Sequence, residues 1–294
     1  MASEPLALTT GRHRALATRG DHVRQVVVLV GALVAVAGAA VGSGAAGGTP
    51  IAEAADGALS ADATVVAPAG PAFGIWSVIY LGLLAAAVHQ ALPRHATNPR
   101  LRATSWWVLA SMLLNAAWIG VVQAGWLWAS VAVIAALVAV LCVVVVRYVR
   151  LRPARGLEAW LYQGTVGLYL GWVCVATLAD VAATLSAADV GELGLGATVW
   201  GVVLVGLGAV VIVALAVYAR TRGVLIVATG LAAAWGLGWI AYGRFQGPLV
   251  DETVAIAAST AAAIALCAPI VAVVSRPPRP QRRGATVVIP GEPG

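Results

Sequence analysis

Eight uninterrupted apolar runs, most of about twenty residues, leave this chain few ways to fold. Lipid offers the backbone no hydrogen-bond partners, so a segment crossing roughly 30 Å of hydrocarbon must close its own bonds as a helix. The runs lie near residues 25–46, 72–92, 104–122, 126–147, 158–182, 197–219, 223–243 and 253–275. With 61% hydrophobic and only 10% charged residues, the 294-residue chain is far from the composition of a soluble domain. The expected fold is all-α, a polytopic transmembrane helix bundle of about eight spans in contact with the lipid bilayer.

Charge placement predicts the orientation. Every basic residue other than histidine is arginine, and the arginines gather in alternate loops. Arg12, Arg14, Arg19 and Arg24 precede the first run; Arg94, Arg100 and Arg102 separate the second from the third. Arg147, Arg150, Arg152 and Arg155 precede the fifth, Arg220 and Arg222 the seventh, and Arg276, Arg279, Arg282 and Arg283 follow the eighth. Cytoplasmic loops retain such an excess, so both termini are expected in the cytoplasm of a cell-membrane protein. The opposite loops carry Glu53, Asp56, Asp62, Asp189, Glu192, Asp251 and Glu252, with Arg244 the one arginine on that side. The net charge of +6 therefore reflects topology. Its arginines are scattered and lack interleaved aromatics, which argues against a nucleic-acid partner. The absence of lysine beside abundant Ala, Val, Gly and Arg points to a bacterial genome of high GC content.

Residues 1–24 and 276–294 read as cytoplasmic tails, the second disordered, and 47–71 as an external loop, by default an unstructured connection and otherwise a lid. The first run also resembles a secretory signal, but its spanning length favours a retained anchor. Cys142, Cys174 and Cys267 sit singly in three spans, and the histidines lack ligand spacing, so no metal site is expected. No phosphate-binding loop, zinc-protease or nucleophile-elbow motif appears, and no catalytic residue is assigned.

Three spans carry aromatic stripes. Phe73, Trp76 and Tyr80 share a helical face, as do Trp107, Ser111, Asn115 and Trp118. In the fifth span Tyr162, Thr165, Tyr169, Trp172, Ala176 and Asp180 follow steps of 3, 4, 3, 4 and 4, so the carboxylate continues the aromatic face. The bland reading is helix packing with interhelical hydrogen bonds; three stripes in neighbouring spans favour a shared pocket. Other tryptophans, among them Trp106, Trp126, Trp128 and Trp160, read as an interfacial belt.

FGIWSVIY (73–80), LLNAAWIG (113–120) and LYLGWVCVATLAD (168–180) stand in the order and on the spans where the TspO family, the tryptophan-rich sensory or translocator proteins, carries its motifs. The sequence resembles a divergent member. Ile79 replaces a leucine, Pro71 stands for a loop tryptophan, Phe73 lies one residue closer to Trp76, and Asp180 replaces an asparagine. The resemblance implies a five-helix core over 25–182, with three additional helices over 183–275. It implies an aromatic pocket for a hydrophobic planar ligand, a porphyrin or haem-like tetrapyrrole, bounded by Trp76, Tyr80, Asn115, Trp118, Tyr169, Trp172 and Ala176. The implied function is a membrane receptor or sensor. The alternatives are a small-molecule transporter, favoured by eight spans and by the polar positions His89, Asn115, Gln163 and Asp180, and a structural partner of another membrane complex. Gly201, Gly206 and Gly208 offer small faces for close packing or a homodimer. Asp180 and Arg244 are expected near one membrane level, either reaching headgroup water independently or joined as an ion pair tying the additional helices to the core.

Overall fold

The structure is a computed structural model that describes residues 16–44, 47 and 49–275. The described residues hold eight α-helices, α1 (Arg19–Gly42), α2 (Ile75–Ala91), α3 (Pro99–Gln123), α4 (Leu127–Arg150), α5 (Thr165–Ala187), α6 (Ala197–Tyr218), α7 (Gly223–Gln246) and α8 (Glu252–Val274), all long and apolar enough to cross a membrane once α2 and α5 are counted with the helical turns before them, as Gly70–Ala91 and Ala159–Ala187. A 3-10 turn, Gly70–Gly74, leads into α2, and a π-helical turn, Ala159–Gly164, leads into α5.

Several helices outrun their apolar stretches because polar caps start them beyond the hydrocarbon limit. Thr18 and Asp21 form a reciprocal capping box that begins α1 at Arg19, and Asn98 followed by Pro99 begins α3. The segment expected as a tail up to residue 24 is therefore partly built into the bundle. Asp21 pairs with Arg102, Arg24 donates to the Ala96 carbonyl at 2.8 Å, and Gln25 donates to the carbonyls of Gln90 and Leu92. Residues 1–15 and 276–294, which hold the rest of both expected tails, lie outside the described residues. The fifth span also continues past residue 182, to Ala187.

In packing order, α1 lies against α2 and α3, α3 against α4, and α4 against α5; on the other side α6 and α7 each lie against α8. The two groups meet along α5 and α7. A methyl group at Gly167 or Gly171 would collide with the backbone of α7 at Leu225 or Thr229, so glycine at these two positions lets the helix backbones touch. These lie four apart in GLYLG, the small-xxx-small spacing that the sequence displays within its aromatic motif. Of the α6 glycines, Gly201 packs against Val254 and Val65, Gly208 against Leu178, and Gly206 is open.

The bundle has two contrasting ends. At one, arginines find carboxylates or helix carbonyls: Arg100 pairs with Glu158, Arg147 donates to Ala103, and Arg222 caps the end of α4 through Tyr148, Val149 and Leu151. At the other, the connection between α1 and α2 folds down onto the helices. Ile51, Ala54, Val66 and Ala67 are buried in it, so the segment read by default as an unstructured connection is a packed cover. Its apolar residues give it surface to bury, which a purely polar loop would lack.

Candidate functional site

Beneath that cover, α2, α3 and α5 bring aromatic residues together, and α4 adds Ile134 and Leu137. Trp76 is the hub: Tyr80 stacks on it at 5.1 Å, and Tyr169 and Trp172 meet it edge-on at 5.7 and 6.3 Å. Phe73 meets Trp172 edge-on at 5.7 Å. Offset and edge-on contacts of this kind match the ring quadrupoles and add to apolar burial. Asn115 donates through Nδ2 to the Tyr80 hydroxyl at 2.8 Å, and Tyr169 donates to the Ser111 carbonyl at 2.9 Å, which locks both phenols.

All seven residues expected to bound a pocket lie in this one region. Trp76, Asn115, Trp118, Trp172 and Ala176 line a void of about 20 Å³ together with Phe73, Ile134, Leu137 and Val173. Tyr80 and Tyr169 stand behind Trp76 as supports. A second void of about 30 Å³ lies on the other side of Trp118, Trp172 and Ala176, and the cover segment closes it through Ile51, Ala58, Leu59, Thr64, Ala67 and Pro68. Ala58 and Ala183 belong to the wall of this void and also to that of an open outer cleft of about 460 Å³.

The polar atoms around the voids are unevenly satisfied. Asn115 Oδ1, Trp172 Nε1 and Thr64 Oγ1 are buried without a hydrogen-bond partner among the described residues, and the Trp118 indole N–H lies close to the Asp180 carboxylate without reaching hydrogen-bonding geometry. Buried polar groups are rarely left so, and each carries a cost of about 1–3 kcal/mol. Those beside the two voids mark a place where added donors and acceptors would be accommodated.

Asp180 and Arg244 are both fully buried, but they do not pair. Among the described residues the ion pairs are Arg100–Glu158 and Arg102–Asp21. Asp180 faces α4, where the Ser130 hydroxyl stands 2.9 and 3.0 Å from its two oxygens. Helix geometry explains the miss. Asp180 follows Gly171 by nine positions, two and a half turns, so it lies on the side of α5 opposite the seam with α7. Nor does either group reach headgroup water: Arg244 turns into the cover segment and donates to the carbonyls of Thr64, at 3.0 Å, and Ala61.

Sequence reasoning also missed Thr64, Leu59 and Pro68 of the cover, and Ser130. Nothing in the loop composition marks which of its residues turn inward. Ala179 and Ala183 were accessible to it, because they extend the Ala176 face by three and seven positions.

A family model described as TSPO-like protein matches residues 26–271. The chain belongs to the TSPO-like protein family. The matched region runs through α6, α7 and into α8, in keeping with the seam that binds α7 to α5. No curated protein and no solved structure matches the chain. As a TSPO-like protein it is a multi-pass membrane protein with a helical bundle, and the motifs that carried the resemblance, on α2, α3 and α5, are those whose side chains converge.

Proposed function

We propose that this TSPO-like protein is a membrane receptor or sensor-like protein that binds a hydrophobic planar ligand of the tetrapyrrole class among α2, α3, α4 and α5. The observation that carries this reading is the coincidence of converging aromatic rings with partnerless polar atoms. Flat apolar rings stack on indole and phenol faces. The Trp172 indole N–H calls for an acceptor and the Asn115 carbonyl oxygen calls for a donor, a combination that peripheral carboxylates and ring N–H groups of a tetrapyrrole supply together. Voids of about 20 and 30 Å³ are far smaller than the several hundred Å³ typical of a ligand site, so binding requires the cover to move.

On this reading residues 25–182 form the binding core and 183–275 brace it. The arginine-rich end lies in the cytoplasm, so an impermeant thiol reagent should label a cysteine at residue 60 in intact cells and one at residue 152 only after lysis. The deciding experiment is titration of the full chain in detergent with protoporphyrin IX, followed by tryptophan emission. Saturable quenching is expected, with affinity weakened about ten-fold or more in a Trp76→Phe, Trp172→Phe double variant. Absence of saturable quenching, or unchanged affinity in that variant, rejects the reading.

A further inference from the structure

The cover over the aromatic site is held shut from α7, a helix that contributes nothing to the lining of either void. Four contacts make the attachment. Arg244 donates to the carbonyls of Ala61 and Thr64, the Ala69 amide donates to the Trp239 carbonyl at 3.3 Å, and the Trp235 indole donates to the Ala72 carbonyl at 2.9 Å. At Gly243 a methyl group would rest directly against Ala69, so the cover lies close along α7 here. The four contacts bracket Ala67 and Pro68 of the inner void's wall, with Ala61 and Thr64 before them and Ala69 and Ala72 after.

Arg244 is the unusual member. It is fully buried, and among the described residues its Nε has no partner and no carboxylate lies within ion-pair distance. The carboxylates of Asp251 and Asp62 act on the guanidinium only through space, although the Asp251 amide donates to the Arg244 carbonyl at 3.0 Å. The Asp62 carboxyl is held below its ordinary range chiefly by the Ser60 hydroxyl, which donates to it at 2.6 Å, and it is therefore charged at neutral pH. A guanidinium satisfied mainly by loop carbonyls is stable only while the loop stays in place. Lifting the cover breaks both charge-assisted hydrogen bonds, so Arg244 holds the segment down with more force than a neutral donor would. The inner void and the outer cleft of about 460 Å³ share Ala58 and Ala183 in their walls, so the two spaces adjoin beneath the cover.

We infer that Arg244 is a positioning residue that latches the cover segment, so that α7 sets the rate at which ligand enters and leaves the aromatic site. The inference rests on the ligand site proposed above for its consequence, though not for the latch itself. The test uses the full chain in detergent, with hydrogen exchange read by mass spectrometry and protoporphyrin IX as the probe. In Arg244→Gln, amides of residues 58–69 should exchange about ten-fold faster or more, the change expected for loss of one hydrogen bond from a charged donor. Association and dissociation of the probe should both accelerate while the equilibrium constant stays nearly the same. Arg244→Lys, which keeps the charge, should change both readouts in the same direction by less, and it carries the test if the glutamine variant does not fold. Unchanged exchange over 58–69 in these variants overturns the latch. So does an increase spread evenly through α5 and α7, because Arg244 would then be a general support of the fold. Failure of the wild-type protein to bind the probe would reject the ligand reading, while the exchange data would still decide the latch.

Discussion

The two sides of α5 solve opposite problems with residues only one or two positions apart. Toward α7, Gly167 and Gly171 remove side chains altogether and let two backbones touch. Toward α2, Tyr169 and Trp172 fill the interface with rings that meet edge-on around Trp76 and leave two voids and several partnerless polar atoms. In a bilayer, where lipid tails are as apolar as the side chains, association depends on close packing and interhelical hydrogen bonds. The glycine seam satisfies that demand and leaves little to adjust. The aromatic side satisfies it incompletely, and an incompletely satisfied interface is where a ligand can contribute.

The comparison breaks most decisively at the seam. Gly171→Leu would drive a branched side chain into the Thr229 carbonyl, a rigid obstacle, and should cost about 3 kcal/mol or more, read as loss of monodisperse protein or a large fall in detergent Tm. Retention of wild-type Tm would mean the two helices are not in backbone contact.

On the aromatic side, Trp172→Ala should destabilise by about 3 kcal/mol through lost burial and an enlarged void, with the fold retained. The new space should also speed protoporphyrin IX association, measured by stopped-flow quenching of the remaining tryptophans. A Trp172→Ala protein that unfolds like Gly171→Leu would erase the distinction between the two faces.

The smallest expected effect concerns the faces as separate energetic units. Asp180 is held by Ser130 of α4 and Arg244 by the cover, so Asp180→Asn and Arg244→Gln should be additive in thermal stability within about 0.5 kcal/mol. A double variant that loses much less than the sum would show that the two groups communicate across α5 and α7.

The sequence by itself determined the eight helices and the aromatic faces that three of them carry. Length and apolarity suffice for the first, because lipid permits a spanning segment little else. Helical spacing suffices for the aromatic faces of α2, α3 and α5, because the period of the backbone is fixed before any packing. It also displayed Gly167 and Gly171, although their partner on α7 is not written there. Only the tertiary structure decided which helix each face meets, and that choice depends on crossing angles and rotations set by all the contacts together. Hence Asp180 found a hydroxyl on α4, and Arg244 found loop carbonyls in place of a carboxylate. A polar group inside a membrane must take the partner that packing brings within about 3 Å, and the sequence names the group without naming the neighbour.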